Sequence, residues 1–235
     1  SSDVCSSDLL AMYQEISVVS EAHELPLPQT LTFGRVWPRL EAGLTLLAGA
    51  PLASPLALPF CAPFLLAGET VVAVDGANCF ELYRLTEWAR RKRINPLELL
   101  QRLRVARAFT PFQLATILHH IPDEMQRHGA RRLVITGFPD CLFDEELNET
   151  EARNTFARCQ ASLAALRGMP YTVLLFADPP RHPARHPAGQ RQRFLDTLAQ
   201  EARVVLEVKN THRGEFVPVK APGLLADAAA CAGRS

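Results

Sequence analysis

The chain has 235 residues, of which 48% are hydrophobic, and its 25 lysine and arginine residues balance 25 acidic ones. This hydrophobic content predicts a packed core and excludes wholesale disorder, while zero net charge argues against a uniformly basic nucleic-acid-binding protein. The six cysteines form no CxxC pair, and no uninterrupted apolar run reaches the length of a membrane helix. We therefore expect a cytoplasmic protein with reduced thiols and no membrane association.

Composition divides the chain into four segments. Residues 1–9 (SSDVCSSDL) repeat Ser-Ser-Asp without periodicity, and DNA resembling a common sequencing adapter would encode Val4 to Leu9, so we interpret them as an artefact. Residues 10–40 contain three prolines and predict a lead-in that packs on a domain. We expect the core domain over 41–220 and a flexible, Ala- and Gly-rich tail over 221–235.

Strand-like and helix-like segments alternate along the core. Apolar and β-branched runs predict strands at 44–48, 70–75, 103–109, 131–138 and 171–178. Amphipathic patterns predict helices at 80–93, from Pro96 to Leu103, and at 112–126, 150–167 and 190–201. Pro122 is expected to bend or break the third of these helices. Two final strands around residues 212–214 predict a C-terminal β-hairpin. This order predicts an α/β fold with a mostly parallel sheet flanked by helices.

Ligands of such sheets bind beyond the carboxyl ends of the strands. The segments of interest are therefore those that follow strands, namely 49–56, 75–84, 136–149 and 177–193. The first of them has the layout of a phosphate-binding loop, because a strand meets Gly49 and then a predicted helix start.

Several motifs follow one another along the core, and their order carries a resemblance to a known family. VDGANCFELYRL (74–85) aligns without a gap with a known family pattern, in which a strand ends in Asp-Thr-Glu and Phe-Arg-Pro-Glu-Arg-Leu follows. VARAF (105–109) aligns with the next strand of that pattern. The series resembles the RecA/RadA recombinase family. On this resemblance, RRLVITGFPDCLF (131–143) takes the place of the Walker B strand and first DNA-binding loop, and 179–195 that of the second. The resemblance covers about 41–220 and implies a RecA-like P-loop NTPase core with a C-terminal β-hairpin.

The nucleotide site that this resemblance implies has lost its usual chemistry. The family's second glycine falls on Ser54, its lysine on Pro55 and its Ser/Thr on Leu56. Proline removes an amide donor as well as the cation. The degenerate site would comprise Gly49, Ala50, Pro51, Leu52, Ala53, Ser54, Pro55, Leu56, Asp75 and Arg84.

Other functional positions of the family are also changed. The Walker B aspartate falls on Thr136, the water-activating glutamate on Ala77, and the Asn-Gln sensor near Ala177 and Asp178. A single electrostatic contributor is worth about 3 kcal/mol or more of a reaction barrier, so we expect no ATP hydrolysis, no catalytic residue and no bound metal. No cofactor is implied with certainty. Weak, metal-independent ATP binding remains open because Asp75 and Arg84 match the family, although Arg84 would equally suit a solvated helix.

Residues 179–195 form a basic, proline-rich segment that carries Arg181, Arg185, Arg191 and Arg193 and no acid. Such a loop predicts contacts with single-stranded DNA, although its arginines would also suit a solvated surface loop. The acidic run over 140–151 would repel phosphate, or else would stabilise the start of the following helix. The RRKR run (90–93) suits a helix C-terminus.

Three functions remain open from these residues. The first is an ATPase-deficient recombinase paralogue that binds DNA, a recombinase or another RecA-fold subunit during recombination or repair. The second is an ATPase with a non-standard or partner-completed nucleotide site. The third is a protein-interaction scaffold that makes no contact with nucleic acid.

Overall fold

The computed structural model describes residues 31–32, 36, 40–49, 52–143, 147–179 and 189–220. Within them the chain forms an α/β fold with one eight-stranded, mostly parallel sheet and helices on both faces. The predicted fold class is thus confirmed at this level. The segment 1–9, the tail 221–235 and most of the lead-in 10–40 lie outside the described residues.

Eight strands form the sheet. They are β1 Leu31–Thr32, β2 Gly43–Gly49, β3 Val71–Asp75, β4 Leu103–Arg107, β5 Arg132–Thr136, β6 Thr172–Ala177, β7 Val204–Asn210 and β8 Glu215–Lys220. Their spatial order is β1-β8-β7-β2-β6-β5-β3-β4. The six strands from β7 to β4 are parallel, whereas β8 pairs antiparallel with both β7 and β1. The pair β7–β8 is the predicted C-terminal hairpin.

Six α-helices connect these strands in the described part of the chain. They are α1 Ala57–Leu66, α2 Leu82–Arg91, α3 Pro96–Leu100, α4 Pro111–Arg127, α5 Glu149–Ala165 and α6 Gln190–Glu201. Two 3₁₀ turns, Ser54–Leu56 and Asp140–Phe143, follow β2 and β5. Helices α1 to α3 pack on one face of the sheet, and α4 to α6 pack on the other.

Strand β3 shows why the sheet is covered on both faces. All five of its residues are buried, with Val71 and Ala73 in one core and Val72 and Val74 in the other. Side chains alternate along a strand, so a continuous apolar run needs a helical layer on each side. Helix α1 is almost entirely buried in the first layer. Among the described residues, no helix combines the length and apolar character that crossing a membrane requires.

The acidic run starts helix α5. The Asn148 side chain accepts a hydrogen bond from the Glu151 amide at 3.0 Å, and the Glu151 carboxylate accepts one from the Asn148 amide at 3.1 Å. This capping box places Glu149 and Glu151 in the first turn, where negative charge is favourable. The helix-stabilising alternative therefore holds for this part of the run, while 144–146 lie outside the described residues. Basic residues end another helix: Arg90 and Arg91 occupy the last turn of α2, as predicted.

The expected break at Pro122 does not occur. Helix α4 runs without interruption from Pro111 to Arg127, with Pro122 inside it. A proline in a helix interior costs about 3 kcal/mol because it removes one backbone hydrogen bond. The buried residues Leu118, Ile121 and Met125 lie on both sides of the proline. Their packing against the sheet offsets that loss, which the sequence pattern alone did not reveal.

Gly137 lies where the chain leaves β5, and only glycine fits there. Its φ is +77°, and a Cβ atom at this position would lie 2.3 Å from the carbonyl carbon of Gly76. We predict that Gly137→Ala lowers the free energy of unfolding by about 3 kcal/mol or more, because left-handed strain and a backbone clash add together. Urea denaturation followed by circular dichroism measures this change.

Gly129→Ala is the matched control for this prediction. Gly129 also has a positive φ, +58°, but its Cβ would meet nothing within 4 Å. It should therefore lose only the conformational term, about 1–2 kcal/mol. Equal losses in the two variants would show that the close approach of Gly76 and Gly137 does not constrain the fold.

Candidate functional site

The carboxyl ends of β2, β3, β5 and β6 bring the predicted segments together at one edge of the sheet. Strand β5 leads towards β6 on one side, and β3 leads towards β4 on the other, so the connections diverge between these two neighbours. Open α/β sheets bind ligands in the crevice at such a point. Here the segments that leave β3 and β5 stay in contact, because Gly76 and Gly137 approach each other closely and the Gly76 amide donates to Thr136 O at 3.0 Å.

The close packing of two strands explains why residue 49, the first glycine of the predicted loop, is a glycine. A Cβ at Gly49 would lie 2.4 Å from the carbonyl oxygen of Val208 on the adjacent strand β7. Glycine is thus required for close strand pairing whether or not a phosphate ever binds. Beyond it, Ala50 and Pro51 lie outside the described residues.

The rest of the loop runs directly into helix α1. Leu52 and Pro55 are exposed, whereas Ala53, Ser54 and Leu56 are buried. Pro55 lies in the 3₁₀ turn, whose Leu56 amide donates to Ala53 O at 3.0 Å. The predicted helix start is therefore present, and Pro55 and Leu56 lie in the turn that leads into it.

The amide groups at this helix start are held by a carboxylate from the same chain. Oδ1 of Asp178, which follows β6, accepts hydrogen bonds from the Ala53 amide at 2.7 Å and the Ser54 amide at 2.8 Å. A helix start attracts anions because its free N–H groups and its dipole both favour negative charge. Asp178 is therefore an internal anion in the position where a phosphate loop would hold its ligand.

Sequence reasoning missed this role of Asp178. The resemblance assigns to this position only the place of an absent sensor. The available signal was an acid directly after a buried strand, but its partner lies 125 residues earlier in the chain. The strand order makes β2 and β6 neighbours, and a local sequence pattern does not predict that order.

Asp140 and Arg191 extend the network around Asp178. The Asp178 amide donates to Asp140 Oδ2 at 2.8 Å, and Arg191 Nε lies 2.9 Å from Asp140 Oδ1. Arg191 Nη2 also donates to the carbonyl oxygen of Asp178. Burial raises the pKa of Asp140 to about 6; the nearby negative charge of Asp178 adds to this, and Arg191 opposes it. The loop, the end of β6 and the start of α6 are thus one connected unit.

Asp75 is completely buried and organises the turn after β3. Its Oδ1 accepts from the Cys79 amide at 2.9 Å and from the Thr136 hydroxyl at 3.0 Å, and its Oδ2 accepts from the Phe80 amide at 3.1 Å. Arg107 Nε lies 3.5 Å from Oδ2. These partners use most of the acceptor capacity of the carboxylate. The Thr136 hydroxyl thus serves this same turn.

Cys79 and Ser54 join the two turns. The Cys79 thiol donates to the Ser54 carbonyl oxygen at 3.4 Å. Burial, aided by the charge of Asp75, raises the Cys79 pKa to about 12, so the sulfur remains a thiol and is a poor nucleophile. Ser54 is 2% exposed, and its hydroxyl has no hydrogen-bond partner among the described residues.

The remaining predicted site residues are not gathered into one cluster. Arg84 lies at the start of α2, where its Nε is 2.6 Å from Glu81 Oε2. Arg193 is exposed in the first turn of α6, next to the ion-paired Arg191. Arg181 and Arg185 lie outside the described residues. The predicted nucleotide and DNA contacts of these arginines therefore stay predictions.

The polar groups at this edge are bonded mainly to one another and form a closed hydrogen-bonded network. In the part of the chain that the structure describes, no group of three or more His, Cys, Asp or Glu side chains is arranged to hold a metal ion. The buried carboxylates are instead satisfied by amides, a hydroxyl and two guanidinium groups. Comparisons with other proteins add no further assignment, because no protein-family model matches the chain and no curated protein is significantly similar to it.

The raised pKa of Asp140 predicts a pH-dependent stability. A folded-state pKa of about 6 exceeds the ordinary aspartate value of 3.8, so the folded protein binds the extra proton between these pH values. The stability contribution of Asp140 is complete below about pH 4 and is lost as the pH rises through 6, by about 3 kcal/mol. Asp140→Asn cannot titrate, so the stability of wild type relative to this variant should fall over that range.

Urea denaturation of both proteins from pH 4 to pH 7 measures the difference. Asp196→Asn is a suitable control because Asp196 is exposed on α6 and bonds to the exposed Gln192 side chain. A constant difference between wild type and Asp140→Asn across this range would contradict the raised pKa.

Proposed function

We propose that this chain is a RecA-like protein that has lost ATP hydrolysis and acts by binding, as an accessory factor in DNA recombination or repair. Its partners are a recombinase or another RecA-fold subunit, and single-stranded DNA. One observation carries the loss of activity: the Asp178 carboxylate occupies the two amides at the helix start. The ordered motifs that resemble the recombinase family support the pathway, by analogy of fold. A cytoplasmic location belongs to the same proposal.

Electrostatics indicate how strongly Asp178 opposes a nucleotide. Two unit charges of like sign about 4 Å apart repel by about 4 kcal/mol at the effective dielectric of a protein surface. A triphosphate at the loop would meet this repulsion without the lysine that normally neutralises it, because Pro55 stands at that position. A loss of 4 kcal/mol corresponds to about a thousandfold in affinity. Mg²⁺ would not restore the affinity, since Leu56 and Thr136 replace its family ligands.

Exposed aromatic side chains favour a binding role. Among the described residues, the large aromatic side chains that remain exposed are Tyr83 at 68%, Phe109 at 73% and Phe112 at 46%. They follow β3 and β4 at the carboxyl edge of the sheet. Phe109 directly precedes Thr110, the N-cap of α4, where an apolar residue usually packs back on its helix. Exposed apolar groups of this size suit a protein partner or the bases of a single strand.

ATP binding by the wild-type protein and by an Asp178 variant tests whether Asp178 blocks the loop after β2. Purified wild-type protein should show no saturable binding of a fluorescent ATP analogue with Mg²⁺ and no phosphate release. Asp178→Ala should bind ATP weakly and independently of Mg²⁺, because it frees the two amides and removes the repulsive charge, but it should not hydrolyse ATP. Fluorescence titration and a phosphate-release assay provide the two measurements.

Asp140→Asn is the matched control for this experiment. It removes one negative charge beside Asp178 but keeps the Asp178 carboxylate that accepts from the Ala53 and Ser54 amides. Weak binding by Asp178→Ala alone would therefore identify the amides as the site. Tight uptake of Mg·ATP with turnover by the wild-type protein alone would refute the proposal. Turnover that starts only on addition of a RecA-fold partner would instead favour a partner-completed ATPase.

The single-strand prediction concerns the basic segment before and within α6. Replacing Arg181, Arg185 and Arg193 by alanine should weaken binding to a single-stranded oligonucleotide and reduce its salt dependence by roughly one unit of slope per cation. Arg191 is retained because its guanidinium holds Asp140. Fluorescence anisotropy across a salt series provides the measurement.

The control variant removes three exposed arginines elsewhere, Arg153, Arg158 and Arg213. It should bind the oligonucleotide nearly as wild type does. If the wild-type protein does not bind single-stranded DNA even at low salt, the nucleic-acid part of the proposal is wrong and only protein partners remain.

A further inference from the structure

The amino-terminal edge of the sheet, opposite the loop, carries a surplus of positive charge. Residues 90–104 contain six basic residues and one acidic residue in a chain whose net charge is zero. Helix α2 ends at this edge and β4 begins there. The basic edge is defined by five exposed cations, Arg90, Lys92, Arg93, Arg104 and Arg131.

These five cations have no carboxylate partner among the described residues. The neighbouring acids are engaged elsewhere, since Glu69 pairs with Arg132 at 2.7 Å, Glu87 with Arg91 at 3.6 Å and Glu124 with Arg127 at 2.6 Å. The Glu98 carboxylate accepts from the Asn95 side chain at 3.3 Å. The cations of the basic edge are therefore exposed to solvent, and no ion pair within the described residues neutralises them.

Arg93 occupies a backbone position that normally selects glycine. The Ile94 amide donates to Ala89 O at 2.9 Å, and the Arg93 amide donates to Arg90 O at 3.0 Å, which is the Schellman pattern at a helix end. The pattern requires a left-handed residue, and Arg93 has a φ of +58°. An arginine is strained there, and within the described residues its side chain has no hydrogen bond or ion pair that would offset the strain. Helix ending alone would favour glycine, so the charge has another use.

The topology brings Arg104 and Arg131 to the same edge of the sheet. Strands β5, β3 and β4 are consecutive and parallel, so they begin at the same edge. The Val71 amide, at the start of β3, donates to Arg102 O at 2.9 Å, which ties the start of β4 to this edge. Neighbouring strands are about 4.8 Å apart, so the starts of β4 and β5 lie about 10 Å from each other. That span matches a few successive phosphates of a nucleic-acid backbone.

We propose that the basic edge binds the phosphate backbone of double-stranded DNA. The duplex is favoured over a single strand because the exposed aromatic side chains on which bases could stack, Tyr83, Phe109 and Phe112, lie at the opposite edge. A duplex offers dense phosphate charge and needs no stacking platform. This inference rests on the proposed nucleic-acid role and adds a second contact to it, at the edge away from 179–195.

The test compares binding of a labelled 20-base-pair duplex by wild type and by the variant Arg90→Ala/Lys92→Ala/Arg93→Gly/Arg104→Ala. The variant should bind at least about tenfold more weakly near 100 mM salt, and the slope of log Kobs against log salt should shrink by about three to four. A control, Arg153→Ala/Arg158→Ala/Lys209→Ala/Arg213→Ala, removes the same charge from other surfaces and should change the affinity by less than about threefold.

Arg93→Gly alone keeps the test independent of folding defects. Glycine suits the left-handed position, so the urea midpoint should stay at or above that of wild type while duplex affinity falls and the salt slope shrinks by about one. Equal duplex binding by wild type and the four-residue variant would overturn the inference, and single-strand binding through 179–195 would still support the proposed function. Absence of binding to either DNA by wild type would overturn both. Loss of binding to phosphatidylserine vesicles, with duplex binding unchanged, would assign the edge to a membrane and also overturn the inference.

Discussion

The carboxyl edge of this protein depends on two hydrogen bonds from backbone amides to one carboxylate. The Ala53 and Ser54 amides would otherwise remain unpaired in a partly buried helix start, which costs about 1–3 kcal/mol per group. Asp178 satisfies both and supplies the negative charge that the helix dipole favours. The same interaction joins the loop after β2 to the end of β6, so one carboxylate connects two neighbouring strands of the sheet.

The neighbouring turn follows the same logic. Asp75 is buried without solvent, yet its oxygens accept from two amides and a hydroxyl and lie near a guanidinium. Burying a carboxylate is costly unless such partners are present, so the turn after β3 and the hydroxyl of Thr136 must fold together. The glycines at 76 and 137 allow this approach, and they keep the segments that leave β3 and β5 in contact. Between these strands the polar side chains thus serve structural bonding.

Charge is distributed unequally between the two ends of the sheet. Carboxylates collect at the carboxyl ends of the strands, and unpaired cations collect at the amino ends. Helix dipoles favour part of this arrangement, since Glu149 and Glu151 begin α5 and Arg90 and Arg91 end α2. The dipole does not account for Arg93, whose left-handed backbone makes arginine a strained choice. The zero net charge of the whole chain therefore does not describe the local charge at either end of the sheet.

The sequence by itself determined the fold class, the order of strands and helices, the terminal hairpin and helix α6 at 190–201, because apolar periodicity and turn residues are local signals. Only the tertiary structure decided that Pro122 stays inside a helix, that Gly49 packs against Val208 and that Asp178 binds the loop. These outcomes depend on which strands become neighbours. Residues separated by more than a hundred positions meet only when the sheet assembles, and the energy of those contacts outweighs local preference.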